Sequence, residues 1–141
     1  MRPLRPSRHM LTGELVLSLF ALGYALSALI PRHIQSLILE HEGFEGLHVW
    51  VTFMGVSSAL LVWTTYKELI SPTMNCSSTL RCRLLLLQGL SWAYTSYLMV
   101  IGGHVLSIVT FHSIPAMLLC TWFYLDNRRV RREINFALSA G

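Results

Sequence analysis

Long apolar runs alternate with short polar breaks along the chain, and the length of the runs is informative before any single residue is. Four of them cover residues 11–30 (LTGELVLSLFALGYALSALI), 47–66 (LHVWVTFMGVSSALLVWTTY), 84–101 (LLLLQGLSWAYTSYLMVI) and 104–125 (HVLSIVTFHSIPAMLLCTWFYL). A helix needs roughly 20 apolar residues to cross a hydrocarbon core of about 30 Å, so each run predicts a membrane-spanning helix. Pro31 closes the first run, and only Gly102 and Gly103 part the third from the fourth, which predicts a tight helical hairpin. The expected fold class is all-α, a four-helix transmembrane bundle. It forms one integral membrane domain over residues 1–141, with 126–141 as a basic tail.

Within the runs, small and polar residues recur at helical spacing. Glu14, Ser18, Ala21, Ala25 and Ala28 share one face of the first span. Thr52, Gly55 and Ala59 form a stripe on the second, and Gln88, Ser91 and Thr95 one on the third. In lipid, helices associate through close packing of small residues and a few polar contacts, because the hydrophobic effect no longer drives them together. These stripes are therefore the expected packing faces. Trp50, Trp63, Tyr66, Trp122 and Tyr124 fall near span ends, the usual place of interfacial aromatics.

Composition agrees with the pattern. Of 141 residues 53% are hydrophobic and 13% charged, and the mean hydropathy is +0.52. A soluble domain carries about 25% charged residues, and one of this size cannot hide so much apolar surface inside itself. The expected solvent is a lipid bilayer. Cys76, Cys82 and Cys120 contain no CxxC pair and make no disulfide framework.

Charge placement sets an orientation. Arg2, Arg5 and Arg8 precede the first span. Lys67, Arg81 and Arg83 lie between the second and third, and Arg128, Arg129, Arg131 and Arg132 follow the fourth. The opposite side holds Arg32 beside Glu40, Glu42 and Glu45. By the positive-inside rule both termini are expected in the cytosol. Asn75-Cys76-Ser77 matches a glycosylation acceptor, but on the cytosolic side it stays unmodified. The first span starts basic and ends near Ala25 and Ser27 as a cleaved leader does, yet its apolar run exceeds an ordinary leader core, so retention is expected. Nucleic-acid binding is not expected, because no basic face carries interleaved aromatics.

Candidate chemistry rests on few residues. The stretch HEGFEGLH, residues 41–48, would put His41, Glu45 and His48 on one face if it were helical, and imidazoles suit zinc or copper. Gly43 and Gly46 disfavour helix there, so a solvated acidic loop is expected. His41, Glu45, His48 and His104 are the candidate metal ligands. Glu45 and His48 match the Glu-x-x-His element of di-iron bundles, which require a second copy that the chain lacks. Heme wants two histidines at one depth on different helices. His48 and His104 match in depth only at the outer boundary, so heme is not expected. His112 lies eight residues beyond His104, about 12 Å deeper along a helix, with helix-bending Pro115 beside it. An ionisable group at that depth is expected to face the bundle interior, either as a functional group or as a neutral histidine hydrogen-bonded to a neighbouring serine, threonine or glutamine. Glu14, near the cytosolic end of the first span, is expected to snorkel to the interface toward Arg8 or Arg81.

Two functional readings follow. In the first, the protein is non-catalytic. It is an accessory subunit packing with membrane partners or with its own copies, or it holds a lipophilic molecule in a slot lined by Gln88, Ser91, Tyr94 and Thr95. In the second, it is an isomerase-, oxygenase- or cyclase-type enzyme on a lipophilic substrate, with His112 as acid/base and Glu45 or His48 assisting.

Leu29-Ile30-Pro31 at the end of the first span, glycine in the second, and the Gly102-Gly103-His104 break into a span with internal His112 form an overall plan. This plan resembles the DoxX-like group of small four-span membrane proteins. The resemblance implies an accessory or small-molecule role and assigns no catalytic residue.

Overall fold

The computed structural model describes residues 8–28, 34–70, 78–102 and 108–139, with backbone alone for 34–45, 47, 78, 108–111, 134, 137 and 138. The described residues form four helices: α1 (Arg8–Ser27), α2 (Ile34–Ile70), α3 (Ser78–Ile101) and α4 (Ile108–Ser139). The fold is all-α. Consecutive helices pack on one another, and α4 also touches α1.

Helix ends follow local chemistry. In the sequence Pro72 follows two residues after the end of α2, and a proline disfavours helical geometry at the residue before it. The last turn of α3 is closed by Gly102, whose N–H donates to Leu98 O at 2.9 Å. Ala28 N–H donates to Tyr24 O at 3.2 Å at the end of α1.

Two boundaries differ from the sequence expectation. α2 begins at Ile34 and carries the backbone of residues 41–48 as helix, so that stretch is not a loop. Glycine costs about 1 kcal/mol in a helix interior, and two glycines do not outweigh the helix-forming residues on either side. α4 likewise continues through Pro115 and past residue 125 to Ser139, so the basic stretch is an extension of the helix.

Among the described residues, three stretches are long and apolar enough to cross a membrane: Arg8–Ser27, His48–Ile70 and Thr79–Ile101. The fourth predicted span takes residues 104–107 from outside the described part. Large apolar side chains, among them Val16, Leu26, Phe53, Trp63, Leu90 and Leu118, point outward on all four helices.

The interior is built from small residues around a few large ones. On α1 the expected face is buried throughout, Glu14, Ser18, Ala21, Ala25 and Ala28. On α2 only Gly55 of the expected stripe packs inward, half-buried and facing Ala25. Thr52 and Ala59 are exposed, while Trp50, Met54, Ser57, Ser58, Leu61, Thr64 and Thr65 are buried. Small residues permit close approach, and hydroxyls that bond within their own helix can be buried without an unsatisfied group. Here the buried face carries Ser57, Ser58 and Thr64, whose hydroxyls donate to carbonyls of their own helix, as Ser58 Oγ does to Met54 O at 2.5 Å. Trp50, expected at the interface, is buried and donates from Nε1 to Thr95 Oγ1 at 3.1 Å.

Candidate functional site

One end of the bundle holds a buried ionic cluster with a member from every helix. Glu14 of α1 and Arg81 of α3 pair directly, and their side chains are 0% and 1% exposed. Arg81 donates from Nε to Glu14 Oε2 at 3.1 Å and from Nη2 to the same oxygen. Its Nη1 donates to Glu68 Oε2 of α2 at 2.6 Å. Asn127 of α4 donates from Nδ2 to the other Glu14 oxygen at 2.5 Å and also to Phe123 O at 2.9 Å. Glu14 therefore accepts on both oxygens and is held by two other helices.

A carboxylate removed from water costs several kcal/mol unless partners replace its solvation. Three donors and one full positive charge supply that replacement. Glu14 was expected to snorkel toward Arg8 or Arg81; Arg81 is the partner, and the pair is buried rather than drawn out to the surface. Two carboxylates share one guanidinium, and Glu68, 18% exposed, is the one nearer to water. These contacts place the start of α1, the end of α2, the start of α3 and residue 127 of α4 at the same end of the bundle. The helices therefore run alternately up and down.

Farther along the interior, polar side chains bridge the helices singly. Gln88 Nε2 donates to Ser58 Oγ at 3.1 Å. Thr95 accepts from Trp50 and donates to Ser91 O at 2.9 Å. Ser91 donates to Leu87 O at 3.0 Å within its own helix. Ser96 Oγ lies 2.8 Å from Ser113 Oγ, tying α3 to α4. Gln88, Ser91 and Thr95 are buried, and Tyr94 is half-buried against the core. Tyr24 OH, Thr65 Oγ1, Gln88 Oε1 and Trp92 Nε1 are buried and have no hydrogen-bond partner among the described residues. Three of these belong to neighbouring side chains: Gln88 and Trp92 are one turn apart on α3, and the Trp92 ring lies 5.0 Å from that of Tyr24.

An aromatic strip runs outward from the same place. Trp92 stacks on Phe20 at 5.8 Å between ring centroids, and Phe20 stacks on the imidazole of His112 at 5.9 Å. His112 was expected to face the interior. It is exposed, and its neighbour Ser113 takes the buried position. One residue turns a helix by about 100°, so depth along the chain does not choose between them.

The remaining candidates do not assemble into a site among the described residues. His48 is exposed on α2. The side chains of His41 and Glu45, and all of His104, lie outside the described part. Among the described residues no group of three His, Cys, Asp or Glu side chains is arranged to hold a metal ion. Sequence reasoning missed Glu68 and Asn127. A signal was present: Glu14, Glu68, Arg81 and Asn127 each fall within about three residues of the predicted cytosolic edge of their span, and polar residues at one depth on four helices can meet.

No family model, curated protein or solved structure matches the chain.

Proposed function

We propose that the chain is a four-span integral membrane protein with both termini in the cytosol, and that it acts without catalysis by holding a lipophilic molecule between α1, α2 and α3. The membrane part is supported by three helices of spanning length and by apolar side chains exposed on all four. Orientation is supported by the ionic cluster, which gathers the helix ends beside Arg8, Lys67, Arg83 and Arg128 on one side. A common side for the basic ends is what the positive-inside rule requires.

The observation that carries the binding role is the group of unpartnered buried atoms: Gln88 Oε1, Trp92 Nε1 and Tyr24 OH. Buried polar groups are nearly always hydrogen-bonded. An acceptor and two donors within one aromatic-lined interior suit an apolar molecule bearing a carbonyl or hydroxyl group. Gln88, Ser91, Tyr94 and Thr95 line the α3 side of this region. An accessory role in a larger membrane complex, the other role implied by the DoxX-like plan, uses the outer faces instead and leaves these atoms to water.

The test is purification in mild detergent followed by native mass spectrometry. A stoichiometric non-phospholipid molecule, lost in Gln88→Leu, is the expected result. Bulk lipid alone, or a stoichiometric protein partner with no small molecule, refutes the binding role. Epitope tags on the two ends, probed in sealed vesicles, test the threading separately: tags on opposite sides refute it.

A second reading, catalysis by His112, is favoured by one observation: the imidazole is exposed on the bundle surface, where a substrate dissolved in the membrane reaches it directly. In that reading Glu45 and His48 assist. It requires that His112→Ala abolish turnover while the protein stays folded.

A further inference from the structure

The helical extension of α4 has no task in the reading above. α4 does not stop at its apolar part but continues as helix through Asn127 to Ser139. Arg128, Arg129, Arg131 and Arg132 sit on this extension, all exposed. At about 100° per residue, Arg131, Arg128 and Arg132 fall within one arc of about 100°. Arg129 lies on its flank, next to Asp126 and Glu133. Arg129 is committed there, donating from Nε to Glu133 Oε1 at 3.2 Å. Arg128, Arg131 and Arg132 form no ion pair among the described residues.

We propose that this arc, formed by Arg128, Arg131 and Arg132, is a binding surface for anionic phospholipid headgroups of the cytosolic leaflet. The proposal rests on the four-span reading for its depth. Asn127, tied to the buried Glu14, anchors the base of the extension at the edge of the apolar layer. From Arg128 to Arg132 the helix rises about 6 Å. The headgroup layer of one leaflet is about 5–7 Å thick, the difference between the whole bilayer and its core shared by two sides.

All three guanidiniums therefore stand at phosphate level when the helix leaves the membrane upright. A topology signal needs only the charges, in any conformation. A rigid helix that segregates acids to one flank and leaves three arginines together matches phosphate, which guanidinium binds through paired N–H donors. Basic clusters immediately cytosolic of a span attract anionic lipids at about 1 kcal/mol per residue, which is about fivefold in affinity each.

The test uses the full chain reconstituted in phosphatidylcholine nanodiscs with graded phosphatidylserine, and the lipids retained on the protein are counted by native mass spectrometry. The expected result is selective retention of phosphatidylserine over phosphatidylcholine. Selectivity should fall by about fivefold per arginine removed in the series from Arg128→Gln to the triple variant with Arg131→Gln and Arg132→Gln. The triple lysine variant, which keeps the charge, should retain most of it. Equal retention of both lipids by the wild type overturns the proposal, as does a triple glutamine variant that keeps full selectivity. Resistance of the same preparations to alkaline extraction reports the membrane reading independently, so an inserted protein without lipid preference sinks the headgroup surface alone.

Discussion

Replacing Arg81 by methionine is the most demanding perturbation of the cluster. Methionine fills a similar volume but leaves Glu14, 0% exposed, with only the Asn127 amide for a partner. Removing one member of a buried ion pair costs about 3–5 kcal/mol, because the remaining charge is stranded. Glu68 is better placed, since at 18% exposure it can turn to water. Glu14→Gln is the milder change: Arg81 keeps Glu68 as its counter-charge, and the loss is of hydrogen bonds to a charged acceptor, about 1.5–3 kcal/mol. The double variant Glu14→Gln/Arg81→Met removes the stranded charge, so it should be more stable than Arg81→Met alone by about 1–2 kcal/mol. Unfolding in mixed micelles with increasing dodecyl sulfate, followed by the fluorescence of buried Trp50 and Trp92, measures the three differences. If the double variant is no more stable than Arg81→Met, the charges are not coupled and the account of the cluster fails.

Packing and interior polarity give further expectations. A Cβ added at Gly13 meets Phe123 Cζ at 2.9 Å, whereas one at Gly23 has nothing within 4 Å. Gly13→Leu should therefore cost about 1–3 kcal/mol through overpacking, while Gly23→Ala should be neutral or stabilising by up to about 1 kcal/mol. The same micelle titration reads both, and equal effects at the two sites would contradict the packing of α1 on α4. Gln88→Leu removes a bond to Ser58, whose hydroxyl still donates to Met54 O. It also removes an unpartnered buried oxygen, so its net cost should stay below about 1 kcal/mol, and a loss of several kcal/mol would show that Gln88 is held by more than Ser58.

Some of this architecture is written locally, and some is not. Apolar runs of spanning length declare helices because backbone groups in such runs must bond within their own segment, and Pro31, Pro72 and the Gly102-Gly103 pair mark the breaks. The buried face of α1 was legible from the 4-3-4-3 spacing of Glu14, Ser18, Ala21, Ala25 and Ala28. The helical state of residues 41–48 and the helical extension of α4 were not, because one residue's propensity is worth about 1 kcal/mol or less and its neighbours outvote it.

What tertiary structure alone decided is which polar groups meet. Sequence spacing places Glu14 and Arg81 near one membrane edge, but it does not set the rotation of α2 and α4 that brings Glu68 and Asn127 to them. The same missing angle decided that Ser113 points in and His112 points out, and that Ser57 and Ser58 are buried while Thr52 and Ala59 are exposed. Periodicity fixes the angle between residues on one helix, whereas rotation about the helix axis is set by the sum of contacts with the other three. The exchange of water for protein partners around a single buried carboxylate is worth several kcal/mol, and a balance of that size is struck only once all four helices are in place.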